Sequence, residues 1–180
     1  MLVYRIFFCC KKIYNKVLHT IVFVLAISAI TIGMMSAIQA HNNSPEPKHF
    51  YSLHSWIGLA TMGLYALQFI VGFVSFLVLL CCDATTTKFR QQLLPTHKTF
   101  GVIIFSMAVA ACVTGLTQSA RYRLSGKDGK LNYADLPEQA IVINVLGITM
   151  IALGILLTYL THNIGIKRYA TEVINETHLT

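Results

Sequence analysis

Four stretches of this chain are long and apolar enough to be helices crossing a bilayer, at about 17–39, 52–80, 96–116 and 140–161. Apart from Lys98 in the first turn of the third, they contain no Lys, Arg, Asp or Glu. A hydrocarbon core about 30 Å thick needs roughly 20 apolar residues in a helix. Backbone polar groups cannot be left unsatisfied there, so only helices and closed barrels can span it. Alternating strand patterns of the barrel kind are absent, and each stretch carries the Gly, Ala, Ser and Thr that let lipid-embedded helices approach closely. With 55% hydrophobic and 12% charged residues, a water-soluble domain would lack the polar surface to cover itself. The expected fold is therefore all-α, an integral membrane four-helix bundle.

The first stretch could also be a secretory signal, since basic residues precede it and SAIQA resembles a cleavage site. Its apolar run exceeds the roughly 7–15 residues of a signal h-region, which favours a retained helix. The Lys and Arg bias of the short loops sets the orientation. Arg5, Lys11, Lys12 and Lys16 precede the first span, Lys88, Arg90 and Lys98 lie between the second and third, and Lys167 and Arg168 follow the fourth. The opposite side carries Lys48, and Arg121, Arg123, Lys127 and Lys130 offset by Asp128, Asp135 and Glu138. Both termini are expected in the cytosol. The formal charge of +7 reads as topology and anion attraction, not nucleic-acid binding.

Cysteine usage fits that orientation. Cys9, Cys10, Cys81 and Cys82 fall at the expected cytosolic boundary and Cys112 within the third span, so no disulfide framework is indicated. The two CC pairs read as reduced thiols, with palmitoylation as the alternative. Asn42-Asn43-Ser44 is a formal glycosylation sequon close to the bilayer.

The histidines acquire depths from this topology. His19 enters with the first span and His97 with the third, from the same side, so they share one level; His54, in the first turn of the second span, lies at the other. His162 closes the fourth span, His41 and His49 are in the first loop, and His178 is in the tail. Ionisable groups in membrane helices are costly and are functional candidates by default, although an interfacial imidazole can also simply hydrogen-bond to water or a carbonyl. Small residues share their faces. Gly101, Ala108 and Gly115 follow His97; Gly58, Tyr65, Gln68 and Gly72 follow His54; and Asn144, Gly147, Gly154 and Thr158 mark the fourth span. Such strips leave room for a flat macrocycle, and tight helix packing explains the glycines but not the histidines. Two neutral imidazoles from parallel helices can take both axial positions of a haem iron, leaving no vacant site for oxygen and electron transfer as the natural role. Zinc usually asks for three or four ligands in one place. Nucleophile-elbow and phosphate-loop motifs are missing.

Beyond this residue-level reading, the chain resembles the eukaryotic cytochrome b561 family. The resemblance is carried by LVYRIFF at 2–8, KVLH at 16–19, HNN at 41–43, YSLHSWIGL at 51–59, RQQLLPTH at 90–97, TGLTQ at 114–118 and LPEQAIVINVLG at 136–147. It implies a partial family domain over 1–168 with a cytosolic tail at 169–180, the four spans matching the last four of six helices. LVYRIFF matches the end of the family's second helix, so the expectation is that the first two helices are missing. The resemblance further implies a b-type haem near each membrane face, held by four histidines. His19 and His97 match the complete inner pair, His54 the outer haem with its partner missing, so one haem b is expected against two in the complete domain; the metal ligands are His19, His54 and His97. Arg5 and Lys12 are carried over as cofactor-site residues, Lys16 and Arg90 as contacts for ascorbate, and His41 as a contact for the outer substrate or iron. Gln118 stands where some relatives have Glu.

The implied function is transmembrane electron transfer from cytosolic ascorbate to ferric iron or monodehydroascorbate outside. This is an oxidoreductase activity if the haem sites are complete. The alternative is a catalytically incompetent fragment or isoform acting as a membrane interaction partner. Expected partners are ascorbate, ferric iron or monodehydroascorbate, the lipid bilayer and, as one option, a second copy in a homodimer; nucleic acid is not among them. The membrane could be lysosomal, vesicular or plasma.

Overall fold

A computed structural model describes residues 12–45, 47–79, 83–127 and 129–177. The chain is all-α, as the spans require. Its helices are α1 (Lys12–Asn42), α2 (Leu53–Phe76), α3 (Asp83–Arg123) and α4 (Glu138–Thr177). Each contains a segment long and apolar enough to cross a membrane. The chain divides into two compact units, Met1–Ala108 and Val109–Thr180, with the division falling inside α3.

Burial is inverted relative to a water-soluble domain. Leu25, Ile32, Met35, Ile148 and Ile155 point outward, whereas Asn15, Thr61, Ser75 and Arg90 are buried. Apolar side chains lose nothing by facing lipid tails, while polar groups must find partners within the protein. The hydroxyls do so locally. Thr20, Ser28, Thr31 and Ser36 on α1, Thr61 on α2 and Ser106 and Thr117 on α3 each donate to the carbonyl four residues earlier, at 2.7–3.0 Å.

The helix limits differ from the sequence expectation in instructive ways. The second span ends at Phe76, with Leu77 as its C-cap, where φ moves to −115° after the last i→i−4 bond, from Leu77 N–H to Phe73 O. Its start is sharp: Phe50 adopts a left-handed φ of 51°, and the Ser52 hydroxyl caps the helix by accepting from Ser55 N at 3.2 Å. The third span extends well upstream of Thr96. α3 runs through Pro95, which lacks an N–H and so removes one helical hydrogen bond, yet does not end the helix. α4 continues beyond Thr161 into the segment expected as a tail.

In the second unit, the connection from α3 to α4 is a folded turn. Ser125 and Asn132 form an antiparallel bridge, and Gly126 N donates to Leu131 O at 3.1 Å. Gly126 sits at φ +69°, where an added Cβ would lie 3.2 Å from Asn132 Cβ, so both its conformation and its neighbour call for glycine. A 3-10 turn over Tyr133–Asp135 follows, and the Tyr133 hydroxyl donates to Asn144 Oδ1 on α4. Gly154 on α4 faces Val109, whose methyls would be 3.3 and 3.4 Å from a Cβ there. The expected small-residue face of the fourth span is thus used at Gly154 for close helix packing.

Candidate haem site

The first unit contains the histidines that matter. α1 and α2 run antiparallel and meet where Tyr65 stacks flat on Phe23, with centroids 5.3 Å apart, and donates its hydroxyl to Phe23 O at 2.9 Å. One turn away, the His19 ring lies against Phe23 at 4.4 Å. His19 therefore has its orientation set by an aromatic stack that α2 braces.

α2 grips α3 just beyond this point. Gln68 Nε2 donates to the backbone carbonyl of His97 at 2.6 Å, and a Cβ on Gly101 would touch that amide at 4.0 Å. The His97 ring fills a slot that exists because residue 72 is glycine. A Cβ there would lie 2.7 Å from Cε1 and 3.3 Å from Nδ1, closer than non-bonded atoms tolerate. Phe76 closes the slot at 5.1 Å. His97 Nδ1 is buried in it and has no hydrogen-bond partner among the described residues. The cost of such a group is about 1–3 kcal/mol, a sign that the ring is placed for something other than packing.

His19 and His97 are thus brought to one level of α2, around residues 65 to 72. His54 does not join them. Eighteen residues of helix separate it from Gly72, roughly 27 Å at 1.5 Å per residue.

Other expected residues divide. Arg90 is buried, only 9% exposed, and its Nη2 donates to Thr87 Oγ1 at 3.1 Å, so it is turned inward two helical turns before His97. Lys16 is half-buried on α1, one turn before His19. His41 is exposed at the end of α1, with Nδ1 bonded to Lys48 O at 2.8 Å. Arg5 lies outside the described residues, as do LVYRIFF, four of the cysteines and the side chains of Lys12 and His162.

The sequence reading assigned Tyr65, Gln68 and Gly72 to the face of His54. They do share that face, but the strip is long enough that its far end serves His19 and His97. Phe23 and Phe76 were not singled out; their signal was an aromatic one turn after His19 and one turn after Gly72.

The family model for eukaryotic cytochrome b561 matches residues 1–123. This chain belongs to that family. Among related proteins, a lysosomal membrane ascorbate-dependent ferrireductase of Rattus norvegicus is 33% identical over 149 residues, covering 83% of this chain and 56% of that protein. A transmembrane ascorbate-dependent reductase of Mus musculus is 29% identical over 168 residues, 93% of this chain and 63% of its own length. A plasma membrane ascorbate-dependent reductase of Xenopus laevis is 29% identical over 159 residues, 88% and 53%. The chain thus spans little more than half the length of the cytochrome b561 relatives it matches.

Cytochrome b561 membership implies haem b, and the residues fit it. Two imidazoles at one level of α2, one of them carrying a buried nitrogen with no hydrogen bond among the described residues, are of the donor type that a b-type haem would take. Among the described residues, no three of His, Cys, Asp and Glu gather as a structural zinc site requires.

Proposed function

We propose that this chain is a transmembrane electron-transfer protein that holds haem b between His19 and His97 and receives electrons from cytosolic ascorbate. The observation that carries it is the His97 ring in the Gly72 slot, its buried Nδ1 without a hydrogen bond among the described residues, at the level of His19. Haem held by two imidazoles supplies a one-electron iron couple with no coordination position open to oxygen.

The chain's own residues do the positioning. Gln68 anchors the backbone of His97, Gly72 and Phe76 confine its ring, and the Phe23–Tyr65 stack steadies His19. Lys16 and Arg90, one and two turns before these histidines, place positive charge at the same end, where ascorbate, an anion at neutral pH, would be drawn. Arg5 and Lys12 belong by resemblance with the cofactor. His54, at the other end of α2, is by resemblance one of the two histidines that hold an outer haem in the complete family domain. His41 contacts the outer acceptor, ferric iron or monodehydroascorbate, which gains the single electron that ascorbate loses.

The test is a reduced-minus-oxidised spectrum and a haem-to-polypeptide ratio on the detergent-purified chain. His19→Ala and His97→Ala should each abolish the signal of the inner haem, and His54→Ala should leave it. Full haem retention in His97→Ala would refute the assignment, and no haem in the unmodified chain would favour an interaction partner without redox chemistry.

A further inference from the structure

The turn between α3 and α4 encloses a cavity of about 720 Å³ that the haem reading leaves unused, and it lies wholly within the second unit. Its depth follows from the charge pattern of the two helices. Residues 99–120 of α3 carry no charged side chain. At 1.5 Å per residue they measure roughly 33 Å, close to the thickness of a hydrocarbon core. Arg121 and Arg123 follow directly, and Glu138 opens the long uncharged stretch of α4. The cavity therefore sits at the level of the lipid headgroups.

Both signs of charge line it. Arg123 and Lys130 come from the end of α3 and the turn, Glu138 from the first turn of α4, and all three are exposed. Among the described residues no ion pair joins Glu138 to either cation, so the two signs face the cavity separately. Lys130 is held in place: its Nζ donates to Tyr122 O at 3.1 Å and lies 4.5 Å from the centroid of the Tyr122 ring. That uses one of the three ammonium N–H groups and leaves two for a ligand. Leu131 and Val142, each more than half exposed, add apolar lining.

A ligand that matches this lining carries a negative group, a positive group and an apolar body, and resides at the membrane interface. A zwitterionic phospholipid has all three. Its positive end is further specified. Quaternary ammonium groups are characteristically held by aromatic faces, yet no lining residue is aromatic, and the neighbouring Tyr122 ring is covered by Lys130. A carboxylate instead suits a primary ammonium, which donates charge-assisted hydrogen bonds to it.

We propose that this cavity binds the headgroup of a phospholipid of the phosphatidylethanolamine class. Arg123 and Lys130 take the phosphate, Glu138 takes the primary ammonium, and Leu131 and Val142 meet the glycerol and the first acyl carbons. The guanidinium fork of Arg123 matches two phosphate oxygens at once. The inference goes beyond the electron-transfer reading and needs no haem.

The test titrates the full chain in detergent with phosphatidylethanolamine, phosphatidylcholine and phosphatidylglycerol and counts bound lipid by native mass spectrometry. Phosphatidylethanolamine should bind roughly 1.5- to fivefold more tightly than either of the others, the range that solvent-exposed charge pairs supply. Arg123→Gln and Lys130→Gln should each weaken its binding by a similar factor. Glu138→Gln keeps the shape and should abolish the preference for phosphatidylethanolamine over phosphatidylglycerol. Arg121→Gln, at a position that does not line the cavity, should change nothing. Equal affinity for the three lipids, a preference that survives Glu138→Gln, or a loss in Arg121→Gln equal to that in Arg123→Gln would overturn the proposal. So would displacement of the lipid by inorganic phosphate alone, which would assign the cations to a free anion. His97→Ala should leave the lipid preference unchanged, so failure of the headgroup site and failure of the haem site are read separately.

Discussion

Gly72→Ala is the sharpest probe of the site because its two effects have opposite signs. An added Cβ would lie 2.7 Å from His97 Cε1. Comfortable carbon contacts begin near 3.5 Å, so the ring must retreat by roughly 1 Å. Rotating it about 30° away from a staggered rotamer costs roughly 0.5–1.5 kcal/mol. At about 1.4 kcal/mol per factor of ten, haem affinity should fall by roughly two- to tenfold. The helix itself should benefit, since alanine is favoured over glycine in a helix interior by about 1 kcal/mol. In the apo-protein that gain and the ring's cost nearly offset each other, so its unfolding should shift by less than about 1 kcal/mol while haem is held less tightly. Gly58→Ala and Gly63→Ala supply the control, because a Cβ at either meets nothing within 4 Å. They should carry the helix gain without the haem loss. Haem titration into detergent-solubilised apo-protein, followed at the Soret band, reads the affinity. Parental affinity in Gly72→Ala would refute the slot as the feature that presents His97.

Three further substitutions test the scaffold. Gln68→Leu removes the donor to His97 O and should cost about 0.6 kcal/mol, up to roughly 1.7, in reversible denaturation from bicelles, typical of hydrogen bonds between membrane helices. Tyr65→Phe keeps the stack on Phe23 but loses the hydroxyl bond, so it should lose a similar amount, whereas Tyr65→Ala should lose clearly more and broaden the haem spectrum. Gly126→Ala forces a side chain into a left-handed conformation, costing roughly 1–2 kcal/mol, and should speed proteolysis of the α3–α4 turn with haem affinity unchanged.

The spans were legible because lipid demands a long run without charge, and that demand acts on the sequence one segment at a time. Helix ends were less legible because they depend on local capping. α2 ends early at Leu77, where φ moves to −115°, with no glycine to announce it. Pro95 lies just before the expected start of the third span, yet α3 passes through it, since one missing hydrogen bond does not outweigh the turns formed on either side.

The histidines show the same division between what one helix encodes and what two helices decide. Periodicity placed Tyr65, Gln68 and Gly72 on the face of His54, which is a statement about a single helix. Which partner meets that face depends on how far α1 and α3 slide along α2, and no spacing within α2 records it. The register is fixed by contacts of mixed origin, a hydroxyl on Phe23 O, an amide on His97 O and a missing Cβ at residue 72. Each acts on a backbone or on empty space, so none requires a recognisable residue type on the facing helix. Gly72 was therefore visible as a small residue and invisible as the wall of the His97 slot. A slide of one residue, about 1.5 Å, between α2 and α3 would move the slot off the ring. Gln68 is the direct opponent of that slide, which makes the pairing of His19 with His97 a property of the register it holds as much as of the two imidazoles.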